Sequence, residues 1–152
     1  ARKITSHFQT RLLINDHYKI AKEIKADGVH LSKTDFCPTT IIENLYTWQI
    51  VGATANTLQD CKTLLSKKVD YISLGAFSTL GLQDYTLIAK ALKTETPIIG
   101  FGDITTKDVT NILETGVSGI AVSTAITNDF NSIKTYNKLL RASSTDELKY
   151  TF

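Results

Sequence analysis

Three side chains could share one piece of chemistry: Asn15, Asp16 and Asp35. Leu12, Leu13 and Ile14, preceded by Arg11, form an apolar run that leads into Asn15-Asp16. Ile20, Ala21 and Ile24 then recur at helical spacing and predict a helix with one apolar face. Gly28 ends it, and Val29-His30-Leu31 read as a second short strand that finishes near Asp35. A strand-helix-strand unit implies parallel strands joined by a right-handed crossover. Asp16 and Asp35 then both follow the carboxyl end of a strand, on one face of the sheet. Two carboxylates so placed suit a hard divalent cation, Mg²⁺ carrying substrate phosphates. The alternative is that Asn15 or Asp16 only caps the helix that follows. Spacing alone leaves both readings open.

Later segments add groups that could bind a ligand. Gly52-Ala53-Thr54-Ala55-Asn56-Thr57 puts small residues and hydroxyls at a strand end, where a ligand can approach closely. Thr57 itself reads as a helix N-cap. Gly102-Asp103-Ile104-Thr105 and Ser123-Thr124-Ala125 follow the last two strand-like runs. In barrels these are the loops that hold a phosphate through backbone N–H groups. Asp103 is discordant there, because a carboxylate repels a phosphate unless it points away. It could instead cap the helix after Thr105. His30 reads as a packed or hydrogen-bonded residue, Trp48 as a cover over the start of a strand. The tail with Tyr150 and Phe152 offers no reading.

The elements that must position these groups alternate regularly. Strand-like runs fall at Arg11–Ile14, Gly28–Leu31, Gln49–Thr54, Asp70–Gly75, Pro97–Phe101 and Gly119–Ser123, rich in Val and Ile as buried parallel strands are. Helical patterns fill the gaps at Lys19–Lys25, Thr39–Tyr46, Thr57–Lys67, Gln83–Lys93, Thr106–Glu114 and Asn131–Arg141. Residues 1–10 look like the tail of a helix or a linker. Asp60, Asp84 and Asp108 lie near helix starts, where a carboxylate meets the positive end of the dipole. The pattern predicts an α/β fold with a parallel sheet. No glycine-rich fingerprint follows the first strand, which favours a TIM (β/α)8 barrel over a doubly wound sheet.

Composition agrees with a single soluble domain: 152 residues, 42% hydrophobic, 21% charged, net charge +2. The small charge and lack of basic runs argue against nucleic acid, and no apolar run could span a bilayer. Cys37 and Cys61 have no zinc-type spacing, and two cysteines suit a reducing, cytoplasmic setting. A barrel usually needs about 250 residues. With no methionine in the chain, the expectation is one N-terminally incomplete barrel domain over residues 1–152.

The run IND, helix, ADGVHL and Asp35 resembles thiamine phosphate synthase, and the likeness extends over nearly the whole chain. The resemblance implies that Asp16 and Asp35 bind Mg²⁺ and that Asn15 contacts the diphosphate. Ser32-Lys33 stand where the family has Gly-Gln. The family's GxSTH segment falls on Gly52–Asn56, giving Thr54 the place of its serine and Asn56 that of its histidine. Asn15 and Thr54 are thus the implied catalytic and substrate-binding pair. Gly102, Ser123 and Thr124 fall on the family's GGI and VVSAI motifs and would hold the thiazole phosphate, with Asp103 at a usual glycine. Leu74-Gly75-Ala76-Phe77 matches its G-P-x-F run, but the Thr/Lys pyrophosphate loop expected after Phe77 is missing. On the family's layout the six strands are the third to eighth, so two strands and a Gln-x-Arg-x-Lys segment would precede Ala1. The implied reaction joins hydroxymethylpyrimidine diphosphate to thiazole phosphate, releasing pyrophosphate. Its partners are small phosphorylated molecules and possible further copies of the chain. A TenI-like thiazole tautomerase shares the fold but uses a histidine near Asn56. A non-catalytic paralogue that binds a phosphorylated ligand is the other alternative.

Overall fold

A computed structural model describes residues 1–32 and 37–143. Helix α1 (Arg2–His7) leads into β1 (Leu13–Asn15), and strand and helix then alternate. They run α2 (Tyr18–Glu23), β2 (Gly28–Leu31), α3 (Pro38–Asn44), β3 (Ile50–Ala55), α4 (Leu58–Ser66), β4 (Tyr71–Ala76), α5 (Phe77–Leu92), β5 (Ile98–Phe101), α6 (Val109–Glu114) and β6 (Gly119–Ala121). Two helices, α7 (Thr124–Asn128) and α8 (Ser132–Ser143), follow. The strands form one parallel sheet in the order β1-β2-β3-β4-β5-β6. The sheet curls. Six flat strands would put the two edges roughly 24 Å apart at ~4.8 Å per strand. Yet Asn15 of edge strand β1 and Ala121 of edge strand β6 line one cavity.

The strands match the expected runs to within a residue or two, but their pattern differs. Val29, Leu31, Val51, Ala53, Ala55, Ile72 and Leu74 are buried in the apolar core. The residues between them, His30, Gly52, Thr54, Tyr71 and Ser73, turn the other way, as the two-residue period requires. The continuous apolar runs expected of a two-sided buried sheet are therefore interrupted by polar residues on the concave face. Helix α2 also departs from expectation. Only Ala21 is buried on it, while Ile20 and Ile24 are 47% and 38% exposed. Six residues give less than two turns, so Ala21 is the one side chain of α2 that is fully buried, with Tyr18 partly buried against the core beside it.

Capping follows the sequence. Thr57 accepts from the Asp60 N–H, and Asp60 accepts from the Thr57 N–H, a reciprocal capping box at α4. Asp108, not Asp103, serves the turn before α6, where it accepts from the N–H and hydroxyl of Thr105. Helix α5 starts at Phe77 directly from β4, with a break in helical geometry at Gly81. Trp48 is 51% exposed and stacks on Tyr46, so the cover over the start of β3 is Gln49. Its buried amide donates to the Ala21 and Ala26 carbonyls and accepts from the Tyr46 N–H.

Gln49 thus ties the end of α2 to the entry of β3. Gln49→Leu keeps the volume but leaves two buried carbonyls without this donor, which should cost about 1–3 kcal/mol. Urea denaturation of the two proteins measures the difference.

Candidate functional site

The site is built from the strand register. Asn15 pairs with His30, His30 with Gly52 and Gly52 with Tyr71, so these four form one row across β1 to β4. All project to the same face. Gly52 separates two rings, and a Cβ there would lie 2.0 Å from the Tyr71 ring. The glycine therefore makes room for a side chain of the protein, where the sequence reading had a ligand approaching. Across that gap His30 and Tyr71 stack with centroids 5.6 Å apart. His30 Nδ1 lies 2.9 Å from the Tyr71 hydroxyl and Nε2 lies 3.1 Å from Thr54 Oγ1. Both ring nitrogens are thus engaged, one as donor and one as acceptor in the neutral ring.

Around this cluster is a cavity of about 420 Å³, lined also by Asn15, Ser32, Ser73, Ile99, Phe101 and Ala121. A second cavity of about 460 Å³ adjoins it and shares Phe101 and Ala121. Gly102, Asp103, Thr105, Ser123, Thr124 and Asn128 also line the second cavity. Asp103 is the one charged side chain among its lining residues. Gly102 has φ of +118°, a conformation that favours glycine. The sequence-predicted residues therefore divide in two: Asn15 and Thr54 in the first cavity, Gly102, Ser123 and Thr124 in the second. Asn56 falls outside both and lines a separate cavity with Cys37, Asp60 and Lys67.

Asp16 does not cap α2, whose N-cap is His17 with no side-chain cap bond. It is 7% exposed, with φ of +57°. Its carboxylate accepts from the Ser32 N–H at 2.8 Å, from the Ser32 hydroxyl and from Asn15 Nδ2 at 2.9 Å. Aspartate tolerates the left-handed region better than most residues, yet such a conformation persists only where surroundings enforce it. Here the enforcement is a tie between the carboxyl ends of β1 and β2. Asp35 lies outside the described residues. By ligand type, the Asp16 carboxylate and the oxygens of Ser32 and Asn15 fit a hard cation. Among the described residues no group of three or more His, Cys, Asp or Glu could hold a metal ion. One or two carboxylates with substrate phosphates is the arrangement Mg²⁺ commonly takes.

Comparison with known proteins completes the picture. The sequence profile of the family described as thiamine monophosphate synthase matches residues 1–126. The chain belongs to that family. A thiamine-phosphate synthase of Bacteroides thetaiotaomicron is 38% identical over 128 residues, covering 76% of this chain and 61% of that protein. One from Flavobacterium psychrophilum is 35% identical over 155 residues, covering 91% and 75%. The chain thus spans about three fifths of the first relative and three quarters of the second. A solved thiamine phosphate pyrophosphorylase from Pyrococcus furiosus has a TM-score of 0.78 at 24% identity, covering 93% of this chain and 71% of that one, and shares its fold. Among the described residues no helix is long and apolar enough to cross a membrane.

Tyr71 and Ser73 were not singled out in the sequence. The signal was there in the register: each lies directly opposite Gly52 or Thr54. Burial lowers the His30 imidazole below its ordinary 6.5, with the Asp16 charge opposing the shift. The unfolded chain therefore takes up a proton that the folded chain resists. Stability from this group is complete above about pH 6.5 and is lost as the pH falls below it. Thermal midpoints recorded from about pH 7.5 down to pH 5 should fall more steeply for the wild type than for His30→Gln. Parallel curves would contradict the assignment.

Proposed function

We propose that this protein catalyses thiamine phosphate synthesis, joining hydroxymethylpyrimidine diphosphate to thiazole phosphate. The supporting observation is a pair of adjoining cavities at the carboxyl ends of the strands, with Phe101 and Ala121 forming a shared wall. Two cavities that meet at a shared wall can hold two substrates with their reacting atoms adjacent. The bond between the pyrimidine methylene carbon and the diphosphate oxygen breaks, and the diphosphate leaves with the electron pair. The thiazole nitrogen then supplies the pair for the new C–N bond. Positioning and charge stabilisation dominate such a reaction.

In this reading Asp16 and Asp35 hold Mg²⁺, whose charge, when bound, stabilises the leaving diphosphate. Asn15 donates to a diphosphate oxygen. Thr54, hydrogen-bonded to His30, faces the pyrimidine substrate. Gly102, Ser123 and Thr124 hold the thiazole phosphate through backbone N–H groups and hydroxyls, and they must offset the charge of Asp103, which lines the same cavity. The six strands would be the third to eighth of an eight-stranded barrel, consistent with the curl of the sheet. The tautomerase alternative has one point in its favour. His30 lines the first cavity and stays neutral near pH 7, so a group able to exchange protons is present.

Dependence on the metal separates these readings. Thiamine phosphate formation should require Mg²⁺ and disappear with chelator. Asp16→Asn is the informative variant, because an amide can keep part of the hydrogen bonding to Ser32 while losing the charge. It should lower turnover by ~100-fold or more while leaving the protein folded. Equal rates with Mg²⁺ and with chelator, or no product in either, would overturn the synthase reading.

A further inference from the structure

We infer that Tyr85 is a positioning residue that fixes the wall between the two cavities. It lies on α5, behind the sheet, and has 0% relative exposure. Its hydroxyl is 2.9 Å from the Leu74 carbonyl and 2.8 Å from the Gly75 carbonyl, both near the end of β4. It also accepts from the Phe101 N–H at 3.2 Å, at the end of β5. One phenol proton and one lone pair thus clamp the last residues of two adjacent strands. Burial pushes this phenol up to about 12, so it remains a donor throughout the working range of a protein.

The clamp sits where the β-ladder loses regularity. Leu74 pairs with Gly100 but Ala76 pairs with Phe101, which leaves Gly75 as an extra residue between them. An extra residue leaves local backbone groups without ladder partners. The Tyr85 hydroxyl meets one of them, the Gly75 carbonyl. Gly100 makes the approach possible, since a Cβ there would lie 2.7 Å from Tyr85 Cε2. The consequence reaches the cavities through two backbone contacts. Phe101, held by Tyr85, lines both cavities. The next residue, Gly102, is packed so closely on the Ala76–Phe77 backbone that a Cβ would lie 2.8 Å from the Phe77 nitrogen. A shift of the β4 end would therefore move the lining of the second cavity relative to the first. Tyr85 is not among the residues that line either cavity and acts through Phe101 and Gly102.

The kinetic part of this inference rests on the two-substrate reading above. Tyr85→Phe keeps the ring and removes only the hydroxyl. If the wall sets the alignment of the two substrates, kcat should fall on the order of 10- to 100-fold, because small misplacements of reacting partners are costly. KM for each substrate should stay within about threefold, since each cavity keeps its own lining. Native-state amide exchange should accelerate at Phe101 and Gly102 and stay unchanged in β2 and β3. A lower thermal midpoint with unchanged kcat would reduce Tyr85 to a core residue and overturn the inference. If wild-type protein forms no thiamine phosphate, the synthase reading has failed and the exchange experiment decides alone. Acceleration confined to Phe101 and Gly102 then upholds the positioning role, and unchanged or uniform exchange overturns it.

Discussion

The structure depends on one constraint: polar side chains that face into a curled parallel sheet must find their partners there. Helices cover the outer face, and the two-residue period sends every second strand residue inward. In this chain those residues are His30 and Thr54, next to last in β2 and β3, with Tyr71 and Ser73 from the first half of β4. Among the described residues no buried side-chain nitrogen or oxygen lacks a hydrogen-bond partner. His30 meets the requirement by using both nitrogens, one toward Tyr71 and one toward Thr54. That link spans β2, β3 and β4 and fixes the floor of the first cavity. Its order follows from Gly52, because any larger residue would separate the rings.

A similar solution recurs behind the sheet. Gly100 admits the Tyr85 ring as Gly52 admits the Tyr71 ring. In each case a strand glycine lets a tyrosine hydroxyl reach a partner that the strands alone would not provide. At the edge, Asp16 does equivalent work for β1 and β2 by taking the N–H and hydroxyl of Ser32. Asp16 and Tyr85 therefore hold the carboxyl ends of β1 with β2 and of β4 with β5, while His30 links the ends of β2 and β3 to the start of β4. The cavities lie between those ends, so stabilising the strand ends and shaping the site are the same task.

Much of this was legible in the sequence. The strand positions, parallel pairing and Thr57 cap followed from periodicity and spacing, because those signals are local. The division of the site residues into two cavities was not legible. It depends on curl, which places Asn15 near Ala121, and nothing local encodes that approach. The role of Asp16 needed the structure too, since a cap and a tie to the next strand use the same residue at the same place. Gly52 was noticed for its small size, but its partner Tyr71 is far along the chain and appears only through register. The apolar face assigned to α2 was misleading because the helix is too short to bury more than Ala21.

The central claim is that the carboxyl-end cavities are where phosphorylated ligands bind. Titrating inorganic pyrophosphate with Mg²⁺ into isotope-labelled protein, followed by amide chemical shifts, tests it most directly. Early shifts are predicted at Asn15, Asp16 and Ser32, around the first cavity. Addition of thiazole phosphate should then move Gly102, Ser123 and Thr124. Shifts confined to the opposite end of the sheet, around Arg2, Arg11 and Asp27, would contradict the account.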